Sequence, residues 1–221
     1  MIKRHAVVIS IGALVLMCLI SLWCWIVLPV DAQIPVHWNF QGEVDRTMPK
    51  DLAVIMTPIL ASVLLILFFI IPKIEPRREN LTKSAKVWNI TWPSLMVFML
   101  FLHMGLMLHA MGVEISFPHY SMFLTGFLFV IMGNYLGKVR SNFMFGIRTP
   151  WTLSSELSWN KTHRLMGKLF VFYGFTLLIS VWLFNFFQAI ILFMGIGVIV
   201  LVIVAFWYSW HIWKQDPSIH H

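Results

Sequence analysis

Long uncharged stretches dominate the chain, at 6–30, 52–72, 87–113, 115–137 and 169–213, and short polar segments separate them. A helix rises about 1.5 Å per residue and the hydrocarbon core of a bilayer is about 30 Å thick, so each of the first four stretches suits one transmembrane helix. The fifth holds about 45 residues, about 68 Å of helix, and must turn back. Its most polar point, 185–188, is where the turn is expected. The pattern predicts an all-α membrane protein with six transmembrane helices.

Composition and charge sharpen this picture. Of 221 residues, 59% are hydrophobic and 11% charged, against about 25% charged in an ordinary soluble domain, which excludes a soluble globule. Short cytoplasmic loops retain Lys and Arg. With both termini cytoplasmic, all but Arg46 and Lys50 of the 16 basic residues lie inside. The formal charge of +7 is then a topology signal, and no direct nucleic acid binding is expected. The first stretch follows Lys3 and Arg4 but is longer than the roughly 7 to 15 apolar residues of a signal peptide, and it lacks a small-x-small cleavage site. It reads as an uncleaved helix. Cys18 and Cys24 lie about 9 Å apart along that helix, too far for a disulfide. His220 and His221 are given no function.

The chain divides into two three-helix halves, 1–114 and 115–221. Each carries its long loop between its first and second helix, at 31–51 outside and 138–168 inside. The halves enter the membrane from opposite sides, the layout of a 3+3 inverted repeat. The connector 73–86 is read as a solvated basic segment that only fixes topology, with Pro72 and Pro76 ending the second helix.

In the outer loop, Pro35 favours an extended predecessor, and 33–38 alternates polar and apolar residues as a short strand does. Gly42 supplies a turn. For His37 and Trp38 the stronger reading is packing and interface anchoring. The weaker is a metal site built from His37, His109 and His119 with Asp31, Glu43, Asp45 and Glu114, but no pair has a ligand spacing, so no metal or cofactor is assigned. Pro35, His37, Trp38, Asn39, Gly42 and Asp45 form a P-x-H-W-N-x-x-G-x-x-D pattern. The pattern resembles a small domain of unknown function found at the N-terminus of many bacterial membrane proteins. The resemblance covers about residues 5 to 75 and implies fold and topology only.

The inner loop is the most informative segment. Gly133 and Gly137 form a GxxxG with Asn134 between them, and Gly126 lies one heptad earlier, a spacing that lets a neighbouring helix approach closely. Thr149 is placed to cap a helix whose first residue is Pro150. A cytoplasmic amphipathic helix is expected to follow, with Glu156, Trp159 and His163 on one face and Lys161 and Arg164 meeting lipid headgroups. Arg148 is expected to use its forked guanidinium in a site shielded from water, tying loop carbonyls or Glu156.

The run 133–170 resembles the signature of the SdpI-type immunity proteins, on Asn142, Gly146, Ile147, Arg148, Thr149, Pro150, Trp151, Thr152, Leu153, Glu156, Trp159, Thr162, His163, Arg164 and Gly167. The resemblance implies a bacterial cytoplasmic membrane protein that protects against a secreted, membrane-active peptide toxin. It also implies a cytoplasmic transcriptional repressor held at the membrane through the inner loop. Trp151, Trp159 and Arg148 are residue types that make interface anchors.

His103 falls near the middle of the third span, and His109 toward its outer end. Such groups are costly in lipid, and each is read as a hydrogen-bonded structural His or as a proton or peptide contact. The methionines around them, Met96, Met99, Met104, Met107 and Met111, suit adaptable packing or a soft surface for a toxin helix. The competing function is a small-molecule or proton-coupled transporter or exporter, for which Pro93, Gly195 and Gly197 are the only interruptions well inside later spans. An enzyme is not expected: Ser154 and Ser155 lack a nucleophile-elbow context, and Glu156 and His163 lie nearly two turns apart.

Overall fold

A computed structural model describes residues 1–183 and 187–219, with 187–191 as backbone only. In chain order the elements are α1 (Arg4–Val27), β1 (Gln33–Trp38), β2 (Val44–Pro49), α2 (Lys50–Ile74), α3 (Arg78–Lys83), α4 (Ala85–Ala110), α5 (Phe117–Leu136), α6 (Pro150–Ser154), α7 (Glu156–Leu183) and α8 (Phe187–Trp213). Among the described residues five helices are long and apolar enough to cross a membrane: α1, α2, α4, α7 and the Leu192–Trp213 part of α8. The chain is a multi-pass membrane protein. The remaining predicted span, the fourth, corresponds to α5, a helix of 20 residues outside that set, whose ends are polar at His119 to Ser121 and at Asn134. The long last run is split between α7 and α8 as expected. Asn185, named for the turn, lies outside the described residues, as do His220 and His221.

Lipid offers the backbone no partner, so an apolar run closes its own hydrogen bonds as a helix until proline or glycine intervenes. Leu28 ends α1 in the extended form (ψ 145°) that the following Pro29 demands. In α2 the helix passes through Pro72 and stops only at Ile74, with Glu75 extended ahead of Pro76 (ψ 120°). Pro76 alone ends it, not the pair of prolines. Gly112, at φ +84°, turns the chain after α4.

The strand expected at 33–38 is β1, and it pairs antiparallel with β2 in the register Gln33 to Pro49, Ile34 to Met48 and Pro35 to Thr47, then through two irregularities to Trp38 with Val44. Gly42, at φ +84°, makes the turn between them.

In the first half α1 is central, lying against α2 and α4. In the second half α7 is central, lying against α5 and α8, and α4 meets α5 across the middle. The central helix is the first of one half and the second of the other, so this packing does not repeat between them. Gly126 faces Gly174, and Gly133 faces Gly167, across the antiparallel α5–α7 seam. A Cβ on Gly133 would stand 2.7 Å from the Gly167 carbonyl oxygen, and one on Gly174 2.7 Å from that of Gly126. Only hydrogen side chains let the two backbones come this close.

The cytoplasmic amphipathic helix does not form as a separate element. After the five residues of α6, Ser155 is extended (φ −135°, ψ 122°), and α7 then runs unbroken for 28 residues. Ser155 Oγ accepts the Ser158 amide at 2.9 Å, an N-cap for α7. Trp159 and His163 are wholly buried, whereas Glu156 is exposed. The same spacing serves a lipid-surface stripe and a protein seam, and here it serves the seam. Met96, Met99 and Met107 are likewise buried, which makes them packing and removes them from any free soft surface. The apolar side chains that remain exposed, such as Leu22, Ile59, Phe172 and Ile203, point outward along the spans.

Candidate functional site

Contacts gather the polar segments at the two ends of the helices. One end holds the N-terminus, 75–89, 138–163 and 209–218, and the other holds the hairpin and the start of α5.

The inner loop is fastened to α7 by three interlocking bonds. Trp159 Nε1 donates to the Val139 carbonyl at 2.8 Å. The Ile147 amide donates to His163 Nε2 at 2.9 Å. Since Nε2 accepts, the ring proton sits on Nδ1, which donates to the Trp159 carbonyl at 2.9 Å. His163 also stacks on Trp159, centroids 4.1 Å apart. Gly146 stands at φ +110°, and a Cβ there would lie 2.6 Å from His163 Nε2. Glycine is required at this position twice over, by conformation and by space.

Asn142, fully buried, shapes the preceding turn. Its Oδ1 accepts the Met144 and Phe145 amides at 3.0 and 2.6 Å, and its Nδ2 donates to the Arg140 carbonyl at 2.9 Å. Thr149 is the expected cap: its Oγ1 accepts the Thr152 amide at 3.1 Å, and Thr152 Oγ1 accepts the Thr149 amide at 2.9 Å. Pro150 is the first residue of that helix. Thr149 Oγ1 also reaches Ser209 Oγ at 3.0 Å, and Ser158 Oγ donates to the Ser209 carbonyl at 2.7 Å, so α8 closes the site. Trp151 meets Phe206 edge-on, at 6.1 Å. Ser155 Oγ donates to the Asp216 carboxylate beyond α8.

Arg148 meets its expectation only in part, bonding one loop carbonyl without shielding from water. It is exposed, its Nη1 donates to the Phe143 carbonyl at 2.6 Å, and no bond to Glu156 is formed. The forked role belongs to Arg77, which donates to Ser141 Oγ and, at 3.1 Å, to the Leu153 carbonyl, with its guanidinium 4.5 Å from the Phe143 ring centre. Glu75, 1% exposed, accepts the Phe143 amide through both oxygens at 3.1 Å and the Arg77 amide at 2.9 Å. Asn80 Nδ2 donates to the Ser141 carbonyl, and Ser84 Oγ accepts the Arg140 amide. The connector is therefore a cradle for the inner loop rather than a solvated spacer. One signal in the sequence pointed to it: Glu75, one of two carboxylates in a mainly basic run and the one set just before proline.

Glu156 and Arg164, two other inner-loop candidates, stand apart from this network. Glu156 lines a polar cavity of about 360 Å³ with Asn80, Lys83, Arg140, Ser141 and Asn160. Arg164 lies against Gly137 and projects from a different face of α7 than His163.

At the outer end, His37 Nδ1 and Asp45 Oδ1 are 2.6 Å apart across the hairpin. Asn39 Oδ1 accepts the Glu43 amide at 2.9 Å to hold the turn at Gly42. Pro35 pairs with Thr47. Trp38 stacks on Phe117 at 4.6 Å and lies 6.0 Å from the His109 ring, which joins the hairpin to α4 and α5. His119 Nδ1 meets Ser116 Oγ instead. Among the described residues no three His, Cys, Asp or Glu side chains converge, so the proposed metal ligands are dispersed. Sequence reading missed Lys50. It is buried, and its Nζ donates to the carbonyls of Trp25 and Leu28 at 3.0 and 2.7 Å, a cation at the C-terminal end of α1.

Within the spans, His103 is fully buried, and its Nε2 lies 3.0 Å from Ser21 Oγ, which itself donates to the Val54 carbonyl at 2.6 Å. The hydroxyl proton being used, His103 is the donor to Ser21. Asn134 bonds its own helix at the Val130 carbonyl.

Residues 138–209 match the SdpI/YfhL protein family, and residues 12–61 match a Domain of unknown function (DUF1648). The chain is 24% identical over 208 residues to Immunity protein SdpI of Bacillus subtilis (strain 168), spanning 94% of this chain and 96% of that protein. The chain is SdpI-like. No solved structure matches it. The SdpI/YfhL match begins at Lys138 and takes in the whole lock from Val139 to His163 together with Ser209. The cradle residues Glu75 and Arg77 lie outside both matched segments.

Proposed function

We propose that the chain is a multi-pass immunity protein of a bacterial cytoplasmic membrane that protects its cell against a secreted, membrane-active peptide toxin. The observation that carries this reading is the similarity to Immunity protein SdpI, which runs along 94% of the chain and so includes both the outer hairpin and the inner loop. In this reading α5 is the fourth of six spans, since 20 residues make about 30 Å of helix. The end rich in Lys and Arg faces the cytosol, and the hairpin faces outward.

The protein acts without catalysis. Both ring nitrogens of His163 are engaged in the lock, and Ser154 Oγ is turned back on the Pro150 carbonyl at 2.8 Å, which supports a site that holds shape. The outer hairpin, stiffened by the pairing of His37 with Asp45 and seated on Phe117, meets the toxin from outside. Exposed Arg148 and half-buried Trp151, presented beside α6 on a fixed loop, meet a cytoplasmic repressor. Transport is the weaker reading, because α4 continues through Pro93 and α8 through Gly195 and Gly197, whereas transporter sites are built from broken helices.

The test is survival under a peptide toxin of cells lacking the gene, rescued by wild type, by His37→Ala with Trp38→Ala, or by Arg148→Ala with Trp151→Ala. Wild type is expected to protect, the outer variant to lose protection, and the inner variant to protect while losing the transcriptional response. Equal survival with and without the protein overturns the reading.

A further inference from the structure

A groove of about 700 Å³ opens between α5 and α7, lined by Lys138, Arg164, Lys168, Val171, Phe172 and Phe175. Its chemistry is divided along its length. Arg164, Lys168, Val171 or Phe172, and Phe175 recur at helical spacing on one face of α7, cations first and apolar residues after. From Lys168 to Phe175 the helix climbs about 10 Å, so the cations stand at one end of the groove and the rings descend from it. The groove exists because the floor has no side chains to fill it: Gly133, Gly137 and Gly167 bring the two backbones into contact.

Two observations say what kind of molecule fits. Among the described residues none of the three cations is paired with a carboxylate, and Lys138 rests only over the Tyr135 ring at 4.8 Å. Phe172 and Phe175 are 68% and 51% exposed and face outward like the other uncovered apolar side chains of the spans. Three unpaired cations at the cytoplasmic boundary of the spans, above two bare rings facing the acyl layer, complement a negative headgroup that carries its own hydrocarbon.

We propose that this groove holds one anionic phospholipid, its phosphate among Lys138, Arg164 and Lys168 and an acyl chain along Val171, Phe172 and Phe175. The site goes beyond toxin immunity and needs only that the cationic end face the cytoplasmic leaflet. The lipid seals the glycine seam on its open side and fixes α5 against α7.

The experiment is native mass spectrometry of the full-length protein, equilibrated in mild detergent with equal amounts of phosphatidylglycerol and phosphatidylcholine of matched chains. Wild type is expected to retain phosphatidylglycerol preferentially. The triple variant Lys138→Gln, Arg164→Gln, Lys168→Gln is expected to lose that preference, by about fivefold for each cation removed. Phe172→Ala with Phe175→Ala is expected to weaken retention of both lipids while leaving their ratio unchanged. Arg164→Gln alone, showing about a fivefold loss, keeps the test decisive where the triple variant folds poorly. A control that removes equal charge elsewhere, Lys73→Gln, Arg78→Gln, Lys86→Gln, is expected to behave as wild type. An equal loss in that control, an undiminished preference in the triple variant, or complete displacement of the lipid by equimolar soluble glycerol phosphate would each overturn the proposal. None of these outcomes depends on whether the protein confers toxin immunity.

Discussion

Glu75 holds the Phe143 amide between its two carboxylate oxygens, at 3.1 Å from each, and so ties the end of α2 to a loop 68 residues further along the chain. Both partners lie at the end of the molecule rich in Lys and Arg, where the carboxylate is all but sealed from water. Removing it strands two amides, those of Phe143 and Arg77, and a buried donor left unpaired costs about 1–3 kcal/mol. Glu75→Ala is therefore expected to lower thermal stability markedly in detergent, and Glu75→Gln, which keeps one acceptor, to lower it less. Arg148→Ala is expected to stay within about 0.5 kcal/mol of wild type, because Arg148 is exposed and makes one bond. Thermal unfolding followed by tryptophan fluorescence ranks the three. An Arg148 effect as large as that of Glu75 would reverse the assignment of the fork to Arg77.

The lock on α7 separates two properties of His163, its ring stack and its acceptor nitrogen. His163→Phe preserves a ring against Trp159 but leaves the Ile147 amide without a partner, and about 1–3 kcal/mol of destabilisation is expected. Gly146→Ala is expected to cost at least as much, since its Cβ meets His163 Nε2 and its backbone is held at φ +110°. Hydrogen exchange reads both variants: protection of the Ile147 amide is expected to fall while amides within α2 keep theirs. Retained protection at Ile147 in His163→Phe would show that the nitrogen is not what holds the loop.

These contacts explain how far the sequence could be read. Local signals carried well: the alternation of 33–38 became β1, Thr149 became the cap of α6, and the heptad from Gly126 to Gly133 became a helix seam. The partner strand β2 escaped notice because Val44 to Pro49 is polar, largely exposed and without alternation; only pairing defines it. Spacing puts Glu156, Trp159 and His163 on one face of a helix, but helical spacing does not say what a face meets. The decisive partners, Val139 and Ile147, lie across a chain reversal. The fork was assigned to Arg148 and not Arg77 for the same reason, since both are basic residues in polar loops until the fold brings Ser141 and Leu153 to one of them.

The α5–α7 seam gives a prediction that does not involve the loops. A Cβ at Gly133 meets the backbone Gly167 oxygen and Val171 nitrogen at 2.7 Å and the Phe170 Cβ at 2.8 Å, and one at Gly167 stands 2.8 Å from the Gly133 oxygen, so neither helix can yield by turning a side chain. Gly133→Ala and Gly167→Ala are each expected to cost about 1–3 kcal/mol through overpacking. Gly12→Ala, with nothing within 4 Å of its Cβ, is expected to be neutral or slightly stabilising. Melting temperatures of the three variants in one detergent test the contrast. A neutral Gly133→Ala would mean the helices stand further apart than described.

Sidedness is the physical premise of the functional reading, and two exposed positions report on it. Gln41 is at the tip of the hairpin, and Ser154 is at the end of α6, whereas the neighbouring Ser155 is buried against Asp216 and would disturb the fold if altered. In a background with Cys18→Ser and Cys24→Ala, a membrane-impermeant maleimide is expected to label Gln41→Cys in intact cells. Ser154→Cys is expected to react only after the membrane is opened. The expectation follows from retention of Lys and Arg on the cytoplasmic side, which leaves Arg46 and Lys50 as the only basic residues at the hairpin end. Labelling of Ser154→Cys in intact cells with Gln41→Cys protected would turn the molecule over. The hairpin could then meet no toxin arriving from outside, and the loop around Arg148 could meet no cytoplasmic repressor.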